Sequence, residues 1–220
     1  MDDLLSRALD LASGKGASYC DVLLVETNQE RFVVRTGVVD TLSTDGSLGI
    51  GVRVVVSGSW GFASTNIVSP SEVDRITDLA VEIAKASSGS SNGPVSLGPP
   101  VTSQGVYITP IQTDPFSISA EDKLGLLLEA DQRMGSVKGI SARMGNLIFI
   151  KEHKTFANSD GALVEQTIYE AGGGIMATAR GSGEVQRRSY PQSMRQQGCS
   201  GWEFVAAMDL PGNAERTATE

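Results

Sequence analysis

The chain has 220 residues, 40% of them hydrophobic and 20% charged, with 18 Lys and Arg against 26 Asp and Glu for a net charge of −8. That length is enough to bury most of the apolar surface in one large or two small cores, and no apolar run approaches the roughly 18 residues that a membrane span needs. The acidic balance argues against phosphate-backbone binding, so neither nucleic acid nor membrane is an expected partner. Met1-Asp2-Asp3 places acids where a signal peptide has bases, so a cytoplasmic location is expected. Cys20 and Cys199 lie outside any CxxC spacing, and both are expected to be buried thiols.

In chain order, the first predicted element is a helix with Leu4, Leu5, Ala8, Leu11 and Ala12 on one face, ended by Gly14 and Gly16. Strands are predicted at about 20–26, 31–35 and 38–42. They lead into residues 47–66, SLGIGVRVVVSGSWGFASTN, which read as a long strand, a type II′ turn at Gly58-Ser59 and a second strand. Gly49, Gly51 and Gly61 interrupt those strands, as expected at a bulge, a bend or a close approach by another backbone. Trp60 and Phe62 alternate with Gly61 and Ala63 and share one face; Phe62 is expected in the core and Trp60 partly exposed beside the turn. Ser69-Pro70-Ser71-Glu72 then carries a capping box and starts a helix whose buried stripe is Val73, Ile76, Ala80, Ile83 and Ala84.

Residues 87–105 are rich in Ser, Gly and Pro and predict a flexible connection between half one (1–86) and half two (106–212). Half two opens with a short strand at 106–109 and the Asp114-Pro115-Phe116 segment. Ser119-Ala120-Glu121-Asp122 then caps a helix with Leu124, Leu127, Leu128 and Met134 on its apolar face and Gly135 at a left-handed C-terminal cap. Strands resume from Ile140, and residues 213–220 start a helix that the chain end cuts short. Shifting the chain by 124 positions places Gly37 on Gly161, Gly49 on Gly173 and Ser57-Gly58-Ser59 on Gly181-Ser182-Gly183. Duplication and convergence of two antiparallel meanders both produce this pattern. The predicted class is α+β, with two helix-plus-antiparallel-strand halves that read either as a pseudo-repeat or as convergent meanders.

Motifs that carry chemistry are sparse. Metal sites need several converging ligands, and the one histidine, His153 beside Glu152, reads as a surface residue on a strand. Gly89-Ser90-Ser91-Asn92-Gly93 satisfies GxSxG but sits in the low-complexity connection, away from any strand-to-helix elbow. Gly172-Gly173-Gly174 falls in a strand-like run, where it permits bending and does not cradle phosphate. Arg187 and Arg188, with Arg180 and Arg195 nearby, suit a carboxylate or an acidic partner, and a solvated strand face accounts for them equally well.

The GIGVRVVVSGSWGFAST hairpin followed by a Ser-Pro-capped helix resembles the TldD/PmbA family of metallopeptidases, formerly described as modulators of DNA gyrase. The resemblance continues through Asp114-Pro115-Phe116, FANSDGALVEQT at 156–167, QRRSYP at 186–191 and GWEFV at 201–205, and the last two are closer to the TldD branch. It implies that the chain is the N-terminal domain of a larger protein whose C-terminal domain carries an HExxxH zinc motif, where zinc polarises the scissile carbonyl and activates water. No catalytic or metal residue of the family maps onto this chain. Zinc is thus expected in the intact protein and not on this segment, and the 220 residues alone are expected to be inactive. Trp60, Arg187 and Arg188 remain as binding candidates. The implied role is to shape a channel for flexible peptide substrates and to form a homodimer or a heterodimer with a related subunit. The alternative is a non-catalytic scaffold that pairs with a metal-bearing partner.

Overall fold

Alternation of apolar and polar residues along four long segments builds the sheet of this protein. In a computed structural model, which describes residues 2–88, 93–181, 183–192 and 195–220, the first series of elements is α1 (Asp2–Gly14), β1 (Tyr19–Arg35), β2 (Val38–Val56), β3 (Ser59–Thr65) and α2 (Pro70–Ser87). β4 (Gln104–Ile108) and a 3-10 turn at Pro115–Ser117 follow. The second series is α3 (Ala120–Gly135), β5 (Ile140–Asn158), β6 (Leu163–Gly181), β7 (Glu184–Tyr190), β8 (Gln196–Gly198), α4 (Trp202–Met208) and α5 (Leu210–Thr219). Strands pair in the order β3-β2-β1-β5-β6-β4, and β7 and β8 also pair with β6. Helix, two long strands and a short strand recur in both series, so the α+β class with two similar halves holds; β4 and β8 have no counterpart in the first series. Among the described residues, no helix is long and apolar enough to cross a membrane.

The strands predicted separately at 20–26, 31–35 and 38–42 are parts of two unbroken ones, because the polar residues 27–30 stay within β1. The hairpin turn is also displaced by one residue. Val56 pairs with Ser59, so the turn residues are Ser57 and Gly58, and both have positive φ (51° and 73°), as a type I′ turn requires. Ser182, in the corresponding turn of the second series, lies outside the described residues.

By packing, the chain forms two units: residues 1–27, 46–107 and 152–167 make the first, and 28–45, 108–151 and 168–220 the second. Strands β1, β2, β5 and β6 each supply one stretch to each unit.

In the first unit, Leu5, Ala8 and Ala12 of α1 and Val73, Ile76, Ala80, Val81 and Ala84 of α2 cover Val22, Leu24, Ile50, Val52, Val54 and Val56 of the sheet. Ile83 of the predicted stripe is 37% exposed, and Thr77 and Val81 are buried instead. Ser69 accepts the Glu72 N–H at 3.4 Å, as a cap should, but the Glu72 carboxylate turns to Arg75 and Thr65. Gly61 faces α2 so closely that a Cβ there would lie 1.9 Å from the Ala80 carbonyl oxygen. That approach buries the Ser59, Gly61 and Ala63 face and turns Trp60 and Phe62 to the other side. Phe62, expected in the core, is therefore 57% exposed, and Trp60 is 36% exposed. Burial, with Asp21 beside it, pushes the Cys20 thiol up to about 12. Cys199, in the second unit, is exposed, contrary to the expectation of two buried thiols.

Within the FANSDGALVEQT stretch, Asn158 holds the β5–β6 turn: its Oδ1 accepts the Asp160 and Ala162 N–H groups at 3.1 and 2.8 Å, and its Nδ2 donates to the Val101 carbonyl at 3.0 Å. The 87–105 connection is thus attached here, and again where Val95 N–H donates to the Gly58 carbonyl at 2.8 Å. Residues 89–92, which include most of the GxSxG pattern, lie outside the described residues.

The second unit packs Leu127, Ala130 and Met134 of α3, Val205 and Met208 of α4 and Leu210 and Ala214 of α5 on Phe32, Val34, Leu147, Phe149, Ala171, Ile175 and Ala177. The buried side of α3 is rotated from the predicted one. It contains Lys123 and Asp131, while Leu128 is 37% exposed. Lys123 pairs with Glu30 and lies 5.4 and 4.9 Å from the Phe32 and Phe149 ring centres; Asp131 accepts from Arg143 at 3.0 Å. Gly135 has no left-handed backbone; its lack of a side chain leaves room for the Arg143 guanidinium, which a Cβ would meet at 2.9 Å.

The GWEFV stretch has a structural job in this unit. Trp202 lies 5.8 Å from the Phe149 ring, and the Glu203 carboxylate accepts the Thr113 and Gly201 N–H groups at 3.1 and 2.9 Å. Burial pushes the Glu203 pKa up, but the backbone N–H groups of Glu203, Gly201, Gln112 and Thr113 outweigh it and hold the carboxyl at about 2, against an ordinary 4.5. A depressed carboxyl pKa contributes stability that is complete above the unfolded value and disappears as pH falls through the folded one. Glu203→Ala should therefore cost about 1–3 kcal/mol near neutrality by leaving those donors unpaired. It should also flatten the acid limb of wild-type stability between pH 4.5 and about 2. Urea unfolding across that pH range checks both expectations, and identical acid limbs in the two proteins would contradict the assignment.

Candidate functional site

On the side of the first unit's sheet that the helices leave bare, alternate residues project from each strand: Asp21, Leu23 and Val25 from β1, Arg53 from β2, Phe62 and Ser64 from β3, and Phe156 from β5. Between them Gly49 and Gly51 supply no side chain, so the β2 backbone forms the floor of an open trough of about 900 Å³. Phe62 leans over that floor; a Cβ on Gly51 would meet its ring at 3.0 Å. The glycines that read as bends in the sequence are what hollow out the site.

One end of the trough is fixed by charge. Asp21, whose side chain is 8% exposed, accepts two hydrogen bonds from Arg53 Nε at 3.0 and 3.2 Å and a third from Nη2. This geometry is bidentate and holds Arg53 over the Trp60 ring, 4.8 Å from its centre. Hydrogen bonding to Asp21 raises the already high Arg53 pKa. Tyr19 meets Trp60 edge-on at 6.0 Å, and burial followed by the charge of Asp21 raises the Tyr19 pKa. The Asp21–Arg53 pair, packed on Trp60, therefore closes one end of a trough lined mainly by Leu23, Val25, Phe62 and Phe156. Such a surface binds by burying apolar groups and orienting polar ones.

Of the binding candidates read from the sequence, Trp60 packs against Arg53 at that end but does not itself line the trough. Arg187 and Arg188 belong to the second unit and point to opposite sides of β7: Arg187 pairs across from Thr178 on the side away from the helices, and Arg188 across from Ala177, a core residue. Sequence reading missed Asp21, Leu23, Arg53 and Phe156. The period-2 pattern of β1 contains the signal for the first two, but Asp21 looks like an ordinary surface acid until Arg53 is placed beside it. His153 is half-buried, and its Nδ1 lies 3.0 Å from Thr167 Oγ1. Among the described residues, no group of three or more His, Cys, Asp or Glu side chains converges to hold a metal, so the residues present do not fit a zinc site.

Against known proteins, residues 20–84 match the model of PmbA/TldA metallopeptidase domain 1, and residues 113–220 match that of the PmbA/TldA metallopeptidase central domain. A metalloprotease of Methanothermobacter thermautotrophicus is 25% identical over 147 residues, covering 67% of this chain and 31% of that protein. A metalloprotease of Methanocaldococcus jannaschii is 24% identical over 170 residues, covering 76% of this chain and 37% of that one. Among solved structures, a protein described as a modulator of DNA gyrase from Bacteroides thetaiotaomicron has the same fold, with a TM-score of 0.72 at 18% identity, over 90% of this chain and 45% of that one. TldE from Thermococcus kodakarensis aligns with a TM-score of 0.68 at 16% identity, over 98% of this chain and 46% of that one. The chain thus spans about a third of the curated relatives' length and under half of the solved structures' length. With both family models matched in order along most of its residues, the chain belongs to the PmbA/TldD metallopeptidase family.

Proposed function

We propose that this chain is the N-terminal, substrate-guiding and dimer-forming part of a TldD-like zinc-dependent metallopeptidase that acts on flexible peptides, with the metal held outside these 220 residues. The observation that carries the reading is the trough: an open strip of sheet with a backbone floor, apolar sides and one rigid end accommodates an extended chain without requiring a particular sequence. The metalloprotease names of the relatives support the activity. For the dimer, support comes from β4, which ends the strand order and carries Val106 and Ile108 at 68% and 56% exposure, because an exposed apolar edge favours pairing with another chain.

The purified chain alone should contain no stoichiometric zinc and cleave no casein-like peptide; cleavage abolished by EDTA would overturn this. It should nevertheless bind an unfolded casein peptide, and Gly51→Leu, which fills the trough floor, should weaken that binding by about tenfold or more. Unchanged binding in Gly51→Leu would remove the guiding role. The reading frame after the Glu220 codon separates the two forms of the proposal. An in-frame HExxxH supports a single enzyme, and a stop codon there supports a separately encoded scaffold that pairs with a metal-bearing partner.

A further inference from the structure

The bare side of the second unit's sheet differs in chemistry from the trough. Strand alternation places Arg31, Val33 and Arg35 of β1, Met144 of β5, Met176, Thr178 and Arg180 of β6 and Arg187 of β7 on this side, and Arg195 comes in from the segment before β8. Two adjoining hollows of about 580 and 450 Å³ result, and Arg35, Met176 and Arg187 line both. Met176, half-buried, lines both hollows, and Val33 and Met144 in the larger one are nearly fully buried at 2% and 8% exposure. Among the described residues, no carboxylate lines either hollow.

Five guanidinium groups thus gather in a protein whose net charge is −8. Only Arg35 has an ion-pair partner among the described residues, Asp40 at 3.2 Å; Arg31, Arg180, Arg187 and Arg195 have none. Guanidinium keeps its charge at any pH the fold survives, so the mutual repulsion of these groups cannot be relieved by losing protons. An external anion relieves it.

We propose that this hollow binds an acidic peptide segment, whose carboxylates pair with Arg31, Arg187 and Arg195 while an apolar side chain rests on Met176. Three features favour peptide over nucleic acid. The remainder of the chain is strongly acidic and repels a long polyanion, whereas a short segment meets only the local positive field. Among the described residues, no aromatic side chain lines the hollows to stack on a base. The half-buried Met176, which lines both hollows, suits aliphatic side chains and adapts to different ones. The proposal concerns binding, rests on the second unit alone and stands whether or not the trough guides substrate.

The test is fluorescence anisotropy of the 220-residue chain with a fluorescein-labelled decapeptide that alternates glutamate and leucine. Binding is expected, weakening by about tenfold or more as salt rises from roughly 50 to 200 mM. Arg31→Glu combined with Arg187→Glu should lower affinity by at least about tenfold, and Arg188→Glu, on the other side of the same strand, should leave it within about twofold. Both altered positions are exposed, and the milder pair Arg31→Gln with Arg187→Gln, expected to show an intermediate loss, serves if the double glutamate variant fails to fold. Equal losses in Arg188→Glu, no binding by the wild type, or equal binding of a lysine and leucine counterpart would overturn the proposal. So would tighter binding of a 20-nucleotide single strand, which would assign the hollow to nucleic acid.

Discussion

Glu30→Ala should destabilise the second unit by about 3–5 kcal/mol, because it leaves the Lys123 ammonium buried without its counter-ion. The Lys123 side chain is 1% exposed and that of Glu30 is 16% exposed, so water cannot take over from the missing carboxylate. The Phe32 and Phe149 rings attract the cation from about 5 Å, but that attraction is worth only about 2 kcal/mol even when desolvated. Lys123→Met combined with Glu30→Gln, by contrast, should be neutral or stabilising, since it removes both desolvated charges and keeps side chains of similar length. Each unit contains one tryptophan, Trp60 in the first and Trp202 in the second, so urea unfolding followed by fluorescence in a Trp60→Phe background reports the second unit. Equal losses in the two variants would show that the packing of the side chain, and not its charge, is what the site depends on.

In the first unit the largest effect is expected at Gly61. An alanine there would place its Cβ 1.9 Å from the Ala80 carbonyl oxygen and 2.7 Å from the Ala84 nitrogen. Both are backbone atoms of α2, so no rotamer change can relieve the overlap; β3 or α2 must move as a whole. The cost should exceed the roughly 1–3 kcal/mol typical of an overpacked core, where side chains can yield. Gly49→Ala is the matching control: its nearest neighbour would be Thr65 O at an ordinary 3.6 Å, so stability should change by less than about 1 kcal/mol. Thermal melting followed by Trp60 fluorescence in a Trp202→Phe background distinguishes the two substitutions. Comparable melting temperatures would mean that α2 does not lie against β3 as described.

Some of this architecture was legible in the residues themselves. Ser69-Pro70 starts α2, the glycines at 37, 58, 161 and 183 fall where φ is positive, and the two series repeat in the order that the 124-residue shift implies. These features are local: a cap, a turn and an alternation each depend on groups a few positions apart, and the chain contains both members of every such pair. The family followed from the same kind of local text, and the motifs that carry it turn out to fasten the fold, with Asn158 holding a turn and Glu203 joining α4 to residues 112–113.

What the tertiary structure alone decided is which side of each element is buried. Alternation puts Trp60 with Phe62 and Gly61 with Ala63, but it is symmetric under exchange of the two sides. Size and hydrophobicity pointed to Phe62 as core, with Trp60 partly exposed beside the turn; the close backbone approach of α2 selected the small pair for the core and sent Phe62 to the trough. The same applies to α3, where the charges of Lys123 and Asp131 marked the wrong side as solvent-facing. Their partners lie far away in sequence, Glu30 by 93 positions and Arg143 by 12, and a buried charge becomes tolerable only once the fold has brought its counter-ion to it. The trough and the arginine hollow arise in the same way, from strands whose neighbours no local pattern names.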